Sequence, residues 1–285
     1  MYVFFDEAVA DGRIAAVLRS ASGHNTYAFT HNQFLSAWVG RHHESWRGGR
    51  ILGALGMGVG AGSFAFADTW VLPLVGLVGA ALFLSSLPFR HVPLKGVTDY
   101  LKRWRKAGEA MPGYIERPSL HEPPPAWKES DVLDYGVEAV LVVDDEHLVD
   151  FFVLNQAHAD RRMLVLAHNG YPDYVVPLLT RYLAEQPELP VGFLHGTGMS
   201  MPEMRAVFSK RVGPVQNAID LGWSWDEAHR FKRVRAAKFE SGKDIPVDWI
   251  PAKRLLGAVG AGLQSGERVP ALLGVADGER DMHFG

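Results

Sequence analysis

Cysteine is absent from the 285-residue chain, which excludes disulfides and thiolate metal sites and fits a reducing compartment. Charge is scarce in one long stretch: between Ile51 and Phe89 the only ionisable residue is Asp68. Residues 51–67 and 71–89 form two apolar runs, each near the length a helix needs to cross a ~30 Å hydrocarbon core. The Asp68-Thr69-Trp70 link between them holds no Lys or Arg. The opening residues, MYVFFDEAVADGR, have neither a basic leader nor a long apolar run, so membrane insertion is expected to use the hairpin itself. A large net charge is missing too. A balance of −3 with a pI near 6.5 gives no global argument for nucleic acid.

The residues around the apolar stretch set an expected orientation. Arg41, Arg47 and Arg50 precede it, and Arg90, Lys95, Lys102, Arg103, Arg105 and Lys106 follow it. The positive-inside rule then predicts a two-pass inner-membrane protein with both termini cytoplasmic. Gly56 with Gly60, and Gly58 with Gly62, allow close helix contact within the hairpin or between copies, so a homo-oligomer is one expectation. Four regions follow: a cytoplasmic arm over 1–50, the transmembrane hairpin over 51–89, a basic helix and Pro-rich linker over 90–127, and a cytosolic domain over 128–285. Residues 97–107 (VTDYLKRWRKA) suit a helix resting on anionic lipid, which makes membrane lipid a partner.

The last region alternates in type. Residues 138–143 (EAVLVV), 162–167 (RMLVLA) and 190–194 (PVGFL) are short apolar runs rich in β-branched residues, read as buried strands. Helical spacing separates them over 145–159 and 172–184 and resumes at 202–208. Strand–helix alternation of this kind predicts an α/β fold with a mostly parallel sheet and right-handed crossovers. Ligands bind such sheets beyond the carboxyl ends of the strands. Those ends carry Asp144, Asp145 and Glu146, then His168 and Gly170, then His195, Gly196, Thr197 and Gly198. Carboxylates and imidazoles together suit a hard divalent cation. An acid just after a strand is equally a helix N-cap, the structural role open to Asp145.

The order VLVVDD, LAHNGYPD and LPVGFLHGTG over about residues 137–204 resembles the toprim domain of the topoisomerase VI A-subunit type and of related toprim nucleases. Gly170-Tyr171-Pro172-Asp173 and Leu189-Pro190 carry the likeness. The resemblance implies a toprim-like sheet with a glutamate at the first strand end and a magnesium-binding acidic pair at the third. Here Asp144 takes the glutamate position, and His195 and Thr197 take the acidic pair, so the magnesium site is expected to be degenerate.

Other motifs are weaker. The Gly196–Ser200 loop lacks the Walker lysine and spacing, and it is not a nucleophile elbow. Arg230, Lys232, Arg233, Arg235 and Lys238 form a basic cluster suited to nucleic acid or lipid phosphates, or to plain solvation. The expected function is therefore a membrane-anchored, non-catalytic toprim-like component of a multi-protein assembly in DNA handling or phage defence, with no cofactor. One alternative is a membrane-tethered nuclease using magnesium through Asp144, Asp145, Glu146 and His195. The other is a membrane-perturbing effector gated by the cytosolic domain.

Overall fold

The computed structural model describes residues 7–41, 54, 78, 94–107, 111–122, 136–237, 239 and 242–274. Its centre is a four-stranded parallel sheet of order β2-β1-β3-β4, built from β1 (Ala139–Val143), β2 (Met163–Ala167), β3 (Val191–Leu194) and β4 (Ala218–Asp220). In register, Val140 lies opposite Leu164 on one side and Val191 on the other, and Gly192 lies opposite Ile219. Every residue of β1, β2 and β3 is buried, as strands covered on both faces require.

The two-residue repeat of a strand sorts these side chains into two cores. Val140, Val142, Leu164, Leu166, Val191 and Phe193 face one layer with Leu179 and Leu183 of the helix Val176–Glu185 and Met204 and Phe208 of the helix Met201–Val212. Leu141, Val143, Val165 and Leu194 face the other. That second layer holds Phe151 and Phe152 of the helix Glu146–Leu154 and Leu255 and Val259 of the helix Ala252–Ser265. It also takes in Ile14 and Val17 of the helix Glu7–Ala21, Phe34 and Val39 from the helix over 31–41, and Val97 and Leu101 of the helix Leu94–Lys106. Each large apolar side chain buried in this way contributes about 1.5–3 kcal/mol.

The expectation of a two-pass membrane hairpin, and of an inner-membrane location with both termini cytoplasmic, is corrected here. Among the described residues no helix is long and apolar enough to cross a membrane. The helix Glu7–Ala21 has 15 residues, about 22 Å at 1.5 Å per residue, and falls short of the hydrocarbon thickness. The stretch over 51–89 on which the hairpin was read lies outside the described residues, apart from Ala54 and Val78. The helix Leu94–Lys106 is amphipathic, and its apolar side packs into the protein core through Val97 and Leu101.

Two polar junctions tie residues 27–33 and 111–120 to the α/β unit, and a capping box starts the helix over 31–41. Asn155 receives Ala28 N–H on Oδ1 at 2.9 Å and returns Nδ2 to Ala28 O at 3.0 Å. Thr30 N-caps the helix over 31–41. Its N–H donates to Gln33 Oε1, while Gln33 N–H donates to Thr30 Oγ1, a reciprocal capping box. Asp150, fully buried, accepts from Ser119 N–H at 2.8 Å, Ser119 Oγ at 2.6 Å and Tyr171 Oη at 2.8 Å. Asp150→Ala strands two hydroxyls and one amide and should cost about 2–4 kcal/mol in urea unfolding followed by tryptophan fluorescence. A loss below about 0.5 kcal/mol would contradict the junction's role.

Candidate functional site

The carboxyl ends of the strands bring Asp144, His195 and Asp220 into one hydrogen-bonded chain. β1 and β3 are neighbours, so the residue after each lies at the same edge. Asp144 Oδ2 accepts Gly196 N–H at 2.6 Å. His195, 5% exposed, directs Nδ1 at Gly196 O at 2.7 Å and Nε2 at Asp220 Oδ1 at 3.1 Å. A carbonyl and a carboxylate only accept, so satisfying both contacts at once requires a hydrogen on each ring nitrogen, the imidazolium form. Asp220 also accepts Gly222 N–H at 3.0 Å and lies 3.5 Å from Arg268 Nε. Arg268 in turn reaches Glu227 at 3.0 Å.

The titration behaviour follows from this arrangement. Burial pushes the His195 pKa down, but the Asp220 contact, the Gly196 carbonyl and the charge of Asp144 outweigh it and leave the pKa above 6.5. Burial works upward on Asp220, and His195 and Arg268 outweigh it, so Asp220 lies below 3.8. Asp144 lies above 3.8 because burial dominates, even with the Gly196 amide and His195 pulling the other way.

The other predicted residues separate into roles. Asp145 is the N-cap of the helix Glu146–Leu154: its Oδ1 accepts His147 N–H at 2.7 Å and faces His147 Nδ1 at 2.8 Å, which lowers its pKa. Glu146 turns toward Asn169 and accepts its Nδ2 at 2.7 Å, away from the Asp144–His195 chain. His168 keeps a buried Nδ1 without a hydrogen-bond partner among the described residues. Gly170 adopts φ +91°, and the Arg211 side chain covers the place a Cβ would take.

The glycine loop expected to cradle a ligand is filled by the protein itself. A Cβ on Gly196 would lie 2.5 Å from Ile245 O, and one on Gly198 would meet the Asp244 carboxylate. Thr197 seals this contact, donating its N–H to Ile245 O at 3.1 Å and accepting Ile245 N–H on Oγ1 at 2.8 Å. The basic cluster is also divided. Arg230 and Arg235 are exposed and Lys232 is half-buried. Arg233 lies over Gly40 and reaches Ser36 Oγ at 3.4 Å. Lys238 is outside the described residues.

Sequence reasoning passed over Asp220, Arg268 and Asp248. Asp220 ends a three-residue strand, and its signal was the Ala-Ile-Asp-Leu run before Gly222. Asp248, 4% exposed, accepts Thr30 Oγ1 at 2.6 Å and Asn32 Nδ2 at 3.1 Å. Burial, with the charges of Asp144 and Asp145 adding to it against the Thr30 and Asn32 bonds, pushes its pKa up to about 7. Nothing in the local sequence marks that acid as buried. Among the described residues no group of three or more His, Cys, Asp or Glu is arranged to hold a metal ion. No protein-family model, curated protein or solved structure matches the chain.

These shifts predict how stability depends on pH. The raised His195 pKa adds stability that is complete below pH 6.5 and is lost as pH rises through the folded value. The raised Asp248 pKa acts in the same direction, with stability falling as pH climbs from 3.8 to about 7. These two groups should lower the melting temperature as pH rises from 5 to 8, against half-buried His31 and His158, whose depressed pKa values act the other way. His195→Gln should flatten the part above pH 6.5 and Asp248→Asn the part below about 7. Parallel melting curves for wild type and His195→Gln across that range would contradict the imidazolium assignment.

Proposed function

We propose that this chain is a non-catalytic binding component of a multi-protein assembly, built on a toprim-like sheet that has exchanged its metal for a side-chain cation. The closed run Asp144–Gly196–His195–Asp220 carries this reading. His195, bonded to Asp220 and coupled electrostatically to Asp144, would as an imidazolium supply the positive charge that a magnesium ion would bring to clustered acids. Asp144 has one oxygen engaged by an amide, and Thr197 offers a hydroxyl already bonded to Ile245. That donor set does not fit magnesium, which needs several free hard oxygens in octahedral arrangement. No phosphoryl-transfer step is therefore derived for these residues.

The parallel order β2-β1-β3-β4, with Asp144 and His195 on adjacent strands, is compatible with the resemblance in the sequence. By that resemblance the assembly belongs to DNA handling or antiviral defence. Its members would recognise the surfaces of this protein and not a substrate at the strand ends, because segment 244–246 fills the loop at β3.

The test restores what the sequence exchanged. The double variant His195→Asp, Thr197→Asp returns two carboxylates beside Asp144 and should acquire manganese binding measurable by titration calorimetry or electron paramagnetic resonance. Wild type should give none at the same concentrations and should leave plasmid DNA uncut with magnesium or manganese. Saturable manganese binding by wild type that Asp144→Ala abolishes would refute the reading and point to a working metal site.

A further inference from the structure

The helix Leu94–Lys106 presents a cationic face whose opposite side is already committed to the protein. Val97 and Leu101 are buried in the core, and Tyr100 and Trp104 pack against it with ring centroids 6.5 Å apart. The other side exposes Lys102, Arg103 and Lys106, with Asp99 as the carboxylate among them. Lys102 and Lys106 stand one turn apart, about 6 Å along the axis. Arg105 is neutralised by Glu116, which also lies 3.7 Å from Arg117, itself 85% exposed at the side chain. Neither Lys102 nor Lys106 pairs with a carboxylate among the described residues. Arg103 also lies over the Tyr100 ring at 5.4 Å, and Asp99 offsets part of the charge, so the face stays net positive and open to an anion.

We propose that this face docks the phosphate backbone of duplex nucleic acid without reading its sequence. Charge complementarity selects a polyanion. A bilayer is the poorer occupant, because a helix that settles into lipid needs its apolar side free, and here Val97 and Leu101 occupy the core. A single strand is also poorer, because stacking needs an open aromatic face, and Tyr100 and Trp104 are packed inward. The helix has 13 residues and is about 20 Å long, enough to follow roughly six base-pair steps. The basic cluster at Arg230–Arg235 does not compete as a continuous surface, since Arg233 is turned onto Ser36 and Gly40. The inference rests on surface cations that take no part in the Asp144–His195–Asp220 chain, so it stands or falls apart from the reading of His195.

Fluorescence anisotropy of the full chain with two unrelated 20-base-pair DNA duplexes tests it. Both should bind within about twofold of each other, and affinity should drop about 40-fold from 50 to 200 mM salt, as three phosphate contacts dictate. Lys102→Glu, Arg103→Glu, Lys106→Glu together should weaken binding by at least about tenfold, whereas Arg230→Glu, Arg235→Glu should stay within about twofold. All five positions are at the surface, and circular dichroism checks that each variant is folded. Absence of duplex binding by wild type at 50 mM salt, or equal binding by the triple variant, overturns the proposal. So does a triple variant that loses adhesion to phosphatidylserine vesicles while keeping its hold on DNA.

Discussion

A carboxylate at the end of a buried parallel strand must be met by a cation, a proton or a set of donors, because the strand cannot carry it out to water. Around β1 and β3 all three solutions occur within one small region. His195 supplies the cation and is held charged by the Gly196 carbonyl and Asp220. The Gly196 amide supplies a donor to Asp144. Asp248, with its pKa raised to about 7, draws on a proton, backed by Thr30 and Asn32. The rest of the site follows from this balance. Gly222 has no room for a side chain because a Cβ would lie 2.4 Å from the His195 ring. Arg268 is drawn in to share Asp220 with His195 and to meet Glu227.

Much of the sheet was legible in the sequence. Runs such as Ala139–Val143 and Met163–Ala167 are uniformly apolar because both faces are covered. β4 was missed because an edge strand of three half-exposed residues has neither the length nor the uniformity of a buried one. The chain breaks at Phe231 between the short helices Trp225–Arg230 and Lys232–Ala237. There the backbone turns extended, and the ring packs on Trp223 at 5.2 Å, so tertiary contact overrides local periodicity.

The site was legible in its residue types and not in its wiring. Asp144 and His195 could be placed at strand ends on one edge of the sheet from alternation alone. Their partners Asp220 and Arg268, and the plug formed by Ile245 at Gly196, come from distant parts of the chain. The apolar stretch over 51–89 is a different kind of failure. Hydropathy registers composition, and a membrane assignment from it predicts long apolar helices that the described residues do not contain.

The short parallel bridge between Phe29 and Tyr114 has a topological consequence. Phe29 N–H donates to Gly113 O at 2.8 Å, and Ile115 N–H donates to Phe29 O at 3.0 Å. Backbone pairing there closes a loop of the chain between residues 30 and 113, whose described helices over 31–41 and 94–106 also pack into the core. The entropy of closing such a loop grows only with the logarithm of its length, about 0.6 kcal/mol for each doubling. An evolving chain can lengthen, shorten or exchange material far from that bridge and outside those helices at little thermodynamic expense to the sheet.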